Sequence, residues 1–445
     1  MRNETVHSDI TVVGGGLAGV CAAVAAARLG RKVALVQNRP VLGGNSSSEV
    51  RVWVCGATAH GTNRYARETG IMGEMFVENQ YRNPDGNPYL WDMVVLETVL
   101  AEPNLSLYLN TDVHEVEADG EEEARQIRSV TGWMMGSERR IRFESPIFLD
   151  CTGDGLVGFL AGAKYRLGRE ARHEFGEAWA PEVADDITLG STLLFYTKDA
   201  GHPVKFVPPS FAKDITQTPI PLKRVIRSGD SGCHYWWIEW GGELDTVHDN
   251  ERIRDELSAV IYGIWDYIKN SGQFDADHMT LEWVGSIPGK REYRRFLGDY
   301  TLTQNDILAQ ERSRTGSRLA AGRSTCIRRK GCTPRRAAQS ICTRTGTTIS
   351  RSARSTPRTC PICCLRAATS ARRMSRSARR GSWRPAPRSA KPPGPPPPCA
   401  RSWASRRGSC RAGTPRCCGK RCCGRMPPCW ASPTRTPRTW PGARS

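Results

Sequence analysis

Three glycines near the amino terminus carry the clearest chemical signal. The run Gly14-Gly15-Gly16-Leu17-Ala18-Gly19 follows the apolar stretch Ile10–Val13 and opens an alanine-rich segment that ends at Leu29. Glycines at this spacing let a chain turn tightly after a strand, let backbone approach a pyrophosphate, and let a helix pack close to the strand. The helix N-terminus then offers free N–H groups and a favourable dipole to the phosphates. Gly14, Gly16 and Gly19 are therefore candidate dinucleotide-binding residues. A lone G-x-G-x-x-G is weak evidence. Here small Ala23 stands on the packing face, Gly30 ends the helix and Val33 opens the next strand. That second strand ends at Gln37, where an acid would usually grip ribose hydroxyls. An amide both accepts and donates a hydrogen bond, so Gln37, together with Arg39, stands as the candidate at the ribose.

Two further backbone openings follow. Gly43 and Gly44 give a second point of close approach shortly after the second strand. Later, the apolar strand Pro146–Asp150 runs straight into Cys151-Thr152-Gly153-Asp154-Gly155. A turn at the carboxyl end of such a strand lies beside a bound nucleotide, which makes Thr152, Gly153 and Asp154 candidates to line it. Cys151 stands where a small residue is wanted; packing is the favoured reading and a redox role the alternative, since a thiol without a partner or an activating base has no obvious task.

Groups suited to substrate or proton chemistry lie further on. The segment Cys233–Gly242 is aromatic, with His234 and Glu239 inside it. Trp and Tyr offer flat apolar faces with one polar handle, suited to stacking on a ring, or else to a buried aromatic strand. The run Lys290-Arg291-Glu292-Tyr293-Arg294-Arg295 places four cations within six residues. They could clamp an anionic substrate or stabilise developing negative charge; a solvated basic face is the plain alternative. His234, Glu239, Arg291 and Arg294 are the candidate substrate or proton-transfer residues.

The elements that must position these groups are legible. Strand, glycine turn, helix and strand form a βαβ start. Trp91–Leu100 has a helical apolar pattern and Leu105–Leu109 alternates as a strand. Val113–Glu117, Ile127–Trp133 and Arg140–Phe143 form a small antiparallel meander with a turn at Gly120–Glu123. His114 reads as a solvent-facing strand residue. Glu251–Ile268 is an amphipathic helix.

The runs Gly43-Gly44-Asn45-Ser46-Ser47-Ser48-Glu49 and Arg67-Glu68-Thr69-Gly70-Ile71-Met72-Gly73-Glu74 resemble the FAD-dependent oxidoreductase family that also contains heterodisulfide-reductase-A-like flavoproteins. The resemblance covers about residues 8–310, including the Lys290–Arg295 run. It implies FAD, with the ADP half on Gly14, Gly16 and Gly19, the ribityl or pyrophosphate region near Gly43 and Gly44, and Asp154 at a ribityl or ribose hydroxyl. Some relatives carry a 4Fe-4S cluster, but residues 1–311 show no cysteine set for one. The expected fold is α/β: a Rossmann-like FAD-binding domain with β-meander over 1–165 and an inserted α+β substrate domain over 166–311.

Residues 312–445 read differently. Residues 1–311 carry all 45 acidic residues and 31 of the 64 basic ones, about −14, whereas the last 134 carry 33 basic residues and no acid. The tail also holds 13 of the 17 cysteines and no His, Asn, Val, Phe or Tyr. With no apolar periodicity it cannot offset the entropy of ordering and is expected to be disordered. Three explanations compete: a nucleic-acid-binding tail, a metal site on its cysteine pairs, and a translation frame shifted from about Glu311. The third is favoured. Codons can be chosen for Ile362–Ala371 that read in another frame as Leu-Leu-Phe-Ala-Gly-Arg-Asn-Ile-Ser, a sequence similar to the C-terminal flavin-contact segment of the same family.

Four scattered cysteines in residues 1–311 point to a reducing, cytoplasmic compartment. The N-terminus has no apolar signal core and no run is long enough to span a membrane. The expected partners are a small-molecule substrate and an electron-transfer partner, with neither membrane nor nucleic acid. The competing functions are an NAD-dependent dehydrogenase, which Gly43-Gly44 and Thr152–Gly155 argue against, and a nucleic-acid binder acting through the basic tail.

Overall fold

The computed structural model describes residues 2–54, 68–121, 124–298 and 300–309, with two three-residue strands at 318–320 and 348–350. The rest of the basic tail, as well as Cys55, Arg67 and Asp299, lies outside the described residues. The chain divides into units 1–382 and 383–445, and every described residue belongs to the first.

A four-stranded parallel sheet carries the amino-terminal half. Its order is β4 (Leu105–Tyr108), β3 (Val33–Val36), β2 (Ile10–Val13), β8 (Ile147–Asp150). All four residues of β2 and all four of β3 are buried. A parallel sheet covered on both faces demands such continuous apolar strands. Side chains alternate between two cores, as the strand period of two requires. Val12 and Leu35 pack with Val20, Ala23, Val94 and Val95, from α1 (Leu17–Arg28) and α3 (Pro88–Leu100). Helix α2 (Ile71–Arg82) adds Met75 to this layer. Val13, Ala34 and Val36 pack on the other side with Val113, Val130, Ile141 and Phe143.

That second layer is the meander: β5 (Thr111–Asp119), β6 (Gln126–Met134) and β7 (Arg139–Glu144), joined antiparallel. Strand β1 (Arg2–His7) extends it by pairing parallel to β7. Its polar sequence, RNETVH, hides it from pattern reading; Glu4 meets Arg139 in an ion pair and Val6 packs on the meander core. Helix α3 begins earlier than its apolar pattern, because Asn87 accepts a 2.9 Å bond from Tyr89 N and Pro88 sits in the first turn.

Helix α4 (Leu156–Leu160) follows β8. Beyond it the structure is mixed. Two-stranded antiparallel pairs form from β9 (Tyr165–Arg166) with β14 (Arg295–Phe296), β10 (Ser191–Thr192) with β12 (Glu239–Trp240), and β11 (Phe195–Asp199) with β13 (Met279–Val284). Short helices α5 (Arg172–Phe175) and α6 (Ile220–Lys223) interrupt them. The long helix α7 (Asn250–Asn270) buries Ile253, Leu257, Ile261, Ile264, Trp265 and Ile268, one apolar stripe at helical spacing. The stripe packs on Phe195, Tyr235 and Trp237. Helix α8 (Gln304–Ala309) follows, and β15 (Arg318–Ala320) pairs antiparallel with β16 (Thr348–Ser350).

Candidate functional site

The three fingerprint glycines do two different jobs. A Cβ on Gly14, whose φ is +104°, would lie 2.2 Å from the Cys151 carbonyl oxygen; one on Gly19 would lie 1.8 Å from the Gly14 carbonyl oxygen. These two glycines let α1, β2 and the end of β8 touch. Gly16 faces space instead: its nearest neighbour would be the Gly44 Cα at 4.0 Å. Gly16 also forms an isolated parallel bridge with Gly43, and Gly43 N donates to Gly15 O at 2.8 Å. The first and second glycine loops thus meet at the N-terminus of α1. No side chain caps that terminus and its first turn holds no acid, so its N–H groups and dipole are directed at whatever lies in the cradle.

Gln37 has a different task from the ribose contact its position led us to expect. It is buried; its Oε1 accepts from Gly15 N at 2.7 Å and its Nε2 donates to Val41 O at 3.2 Å. Both polar ends are spent bracing the glycine loop from within the protein. Arg39 is bound to Glu49 by two hydrogen bonds, 3.0 and 2.9 Å. Glu49, ten residues beyond Arg39, thus brings a carboxylate beside Arg39, where a strand-end rule does not look.

The Thr152–Asp154 turn is held by a residue that sequence reading treated only as a strand end. Asp150 accepts from Thr152 Oγ1 at 2.7 Å, Thr152 N at 3.1 Å and Gly158 N at 2.9 Å. Burial raises its pKa, against those hydrogen bonds. Thr152 Oγ1 in turn accepts from Leu156 N at 2.9 Å, which ties the turn to the first residue of α4, whose N-cap is Gly155. Gly153, at φ +89°, has nothing within 4 Å of its Cβ position. Cys151 packs on the α1 core, and burial raises its thiol pKa; burial likewise pushes Cys21 up to about 12. Burial disfavours the thiolate in both, which fits a packing role.

The basic run is a strap rather than a solvated face. Gly289 exchanges two backbone bonds with Thr192, and its Cβ position would be 2.9 Å from Val50. Asn45 Nδ2 donates to Lys290 O at 2.8 Å, and Lys290 Nζ donates to Asp154 Oδ2 at 2.8 Å. Arg294 donates to Asp154 O at 3.2 Å, while its guanidinium lies 4.0 Å from the Phe159 ring centroid and 4.8 Å from that of Tyr293. Its Nε is buried without a hydrogen-bond partner among the described residues. Phe296 lies flat against Gly155 and Gly158, either of whose Cβ atoms would fall within 2.6 Å of the ring. Tyr293 donates to Asp245 at 2.7 Å.

The four substrate or proton-transfer candidates do not form one cluster. Arg291 approaches Glu239 at 3.9 Å. Burial raises the Glu239 pKa, with Arg291 opposing it. Arg294 belongs to the Asp154 side. His234 is exposed and sits edge-on to Trp53, ring centroids 5.4 Å apart. The aromatic segment around it is largely core: Tyr235 and Trp237 are buried, Tyr235 bonds Arg227 O at 2.8 Å, and only Glu239–Trp240 is strand.

Sequence reading also missed Arg51. It is 6% exposed and adopts φ +61°, a left-handed conformation that non-glycine residues rarely hold. Its guanidinium faces Trp283 at 4.2 Å, Tyr196 at 5.2 Å and Tyr89 at 5.4 Å. No local pattern marks a residue whose cage comes from three distant segments.

Among the described residues no group of three His, Cys, Asp or Glu could hold a metal, and no helix is long and apolar enough to cross a membrane.

The profile described as "FAD dependent oxidoreductase" matches residues 9–323. No curated protein matches. Three solved structures that match each cover less than half of this chain. A geranylgeranyl bacteriochlorophyll reductase-like protein from Thermoplasma acidophilum is 15% identical, TM-score 0.30, over 47% of this chain and 52% of that one. L-proline dehydrogenase from P. horikoshii is 19% identical, TM-score 0.21, over 34% and 24%. E. coli quinol fumarate reductase is 14% identical, TM-score 0.25, over 47% and 42%. This chain therefore spans between about a quarter and a half of these structures' length.

Proposed function

The chain belongs to the FAD-dependent oxidoreductase family, and from that premise we propose that it transfers hydride or electrons between FAD and a small-molecule substrate, with an electron-transfer protein as a second partner. The observation that carries this reading is the cradle. Gly16 meets Gly43 at an uncapped helix N-terminus, and Gly16 and Gly153 both leave their Cβ positions open. Residues that fit the cofactor are therefore present on three loops.

FAD supplies the redox chemistry when bound. The chain supplies position and electrostatics. Gly16, Gly43 and Gly44 would admit the diphosphate to the α1 N-terminus. Gly14 and Gly19 hold that helix close enough for the loop to form, and Gln37 fixes the loop. Arg39 and Glu49 would face the ribose end, and Thr152, Gly153 and Asp154 the ribityl end. Arg291 and Glu239 are proposed on the substrate side, where a carboxyl whose pKa is raised by burial would hold its proton to higher pH than a free one and is the proton-transfer candidate. Arg294, pinned among aromatic rings, would present a fixed positive charge. His234 is a weaker candidate, since its contacts are with Trp53 and Ser231. The scattered cysteines support a cytoplasmic location, and the motifs at 43–49 and 67–74 support the heterodisulfide-reductase-A-like branch.

We also hold that the frame is shifted from about Glu311. The family match ends at 323, and no acid occurs after Glu311. The segment that would close the flavin site is then missing, so this chain as written should hold FAD weakly. Resequencing around the codons for Gln310 and Glu311 decides the frame; an intact reading there ends the idea. The visible spectrum of the frame-restored protein, purified with FAD, tests the function. A flavin band at stoichiometric yield is expected, and a colourless protein would refute the assignment.

A further inference from the structure

Lys290 touches both later loops of the cradle. Its carbonyl accepts from Asn45 Nδ2 at 2.8 Å, which ties it to the Gly43–Asn45 loop. Its ammonium donates to Asp154 Oδ2 at 2.8 Å, which ties it to the Thr152–Asp154 turn. The ion pair is well sheltered: the two side chains are 28% and 23% exposed. On one side, Gly289 is locked to Thr192 by reciprocal backbone bonds of 3.0 and 2.8 Å. On the other, Tyr293 is bonded to Asp245 and Phe296 lies on Gly155 and Gly158. Lys290 is thus held at its backbone by rigid neighbours, and its side chain reaches across.

Building on the FAD reading, we propose that Lys290 is a positioning residue for the cofactor, one that sets the spacing of the two later glycine loops by bonding the first through its carbonyl and the second through its ammonium. It does not act on substrate. It holds Asp154, the group placed at the ribityl end, in a fixed direction by charge. A carboxylate gripped by a lysine on a strap anchored at both ends is pre-organised, whereas one left alone samples several rotamers. Misplacing a binding group by even an ångström weakens what it holds.

The test has two arms. In the first, the full-length chain is digested briefly with trypsin. Asp154→Asn leaves every cleavage site of the strap intact and removes only the charge that Lys290 grips. Cleavage at Lys290, Arg291, Arg294 or Arg295 is expected to rise about fivefold or more with the melting temperature nearly unchanged. In the second arm FAD affinity is measured by fluorescence titration of the same chain and its frame-restored form. Lys290→Met is expected to weaken binding about tenfold and Lys290→Arg by no more than about threefold. Strap cleavage in Asp154→Asn equal to wild type overturns the proposal. So does Lys290→Met binding FAD within about twofold of wild type, or Lys290→Arg failing as badly as Lys290→Met. If neither wild-type form binds FAD, the cofactor reading and this positioning role fall together. The trypsin arm would still report the ion pair, so that failure is distinguishable from a failure of the latch.

Discussion

Gln37 Oε1 accepts a 2.7 Å hydrogen bond from the backbone N–H of Gly15, inside the protein and beneath the glycine loop. A residue at the position that usually reads a ribose is here part of the loop's foundation. Gln37→Leu would leave Gly15 N–H and Val41 O without their partners in a buried place. The expected loss is about 2 kcal/mol of stability, or roughly 4–8 °C in melting temperature, measured by thermal unfolding. An unchanged melt would mean the brace is replaced by another contact.

The glycines should separate by phenotype. Gly19→Ala puts a Cβ 1.8 Å from the Gly14 carbonyl, so α1 must move off the sheet. Several kcal/mol of stability should go, with insoluble or unfolded protein as the outcome. Gly16→Ala meets no atom closer than 4.0 Å. It should fold with the wild-type melt and lose FAD affinity by about tenfold or more, since the added methyl fills the space a diphosphate needs. Circular dichroism and flavin titration of the two variants side by side check this.

Glu239 predicts a pH dependence. Burial raises its pKa, and the attraction of Arg291 only partly offsets this. A carboxyl whose folded pKa lies above its unfolded one binds its proton more tightly when folded. It therefore costs nothing below the unfolded value, near pH 4.3, and costs stability increasingly as pH rises through the folded value. Glu239→Gln should match wild type at pH 4 and be the more stable of the two at pH 8. Urea melts at both pH values would expose the opposite order if it held. In the frame-restored enzyme the same substitution should flatten the alkaline limb of a pH–rate profile.

Asp245 should behave in the opposite sense. Burial pushes its carboxyl up, but hydrogen bonds from the His248 and Val247 backbone, the His248 ring and the Tyr293 hydroxyl outweigh it and carry the pKa well below the usual carboxylate range. Its stabilisation is present above the unfolded value, near pH 3.9, and is lost only as pH falls through the lower folded value. Asp245→Asn should therefore cost a constant amount between pH 5 and 8, about 1 kcal/mol, since the side chain is 37% exposed. The gap from wild type should begin to narrow only below about pH 4 and close as the folded-state carboxyl is protonated. Tyr293→Phe should lose a similar amount and also loosen the strap toward trypsin.

The βαβ start, the glycine loops, the meander and the long helix were legible in the residues alone, and FAD was implied by the family resemblance at 43–49 and 67–74. These signals are local: a turn that needs glycine, an alternation of two, a stripe at helical spacing, each read within a few neighbouring residues. Tertiary structure decided what each polar side chain does. It spent Gln37 on Gly15, brought Glu49 to Arg39, gave Asp150 the task of holding the Thr152 turn, and joined Lys290 to Asn45 and Asp154. It also separated His234 from Arg294 and caged Arg51 among Tyr89, Tyr196 and Trp283. The reason is range. A hydrogen bond or ion pair acts over about 3 Å, and Lys290 comes within it of Asp154, 136 positions earlier, only once the chain has folded.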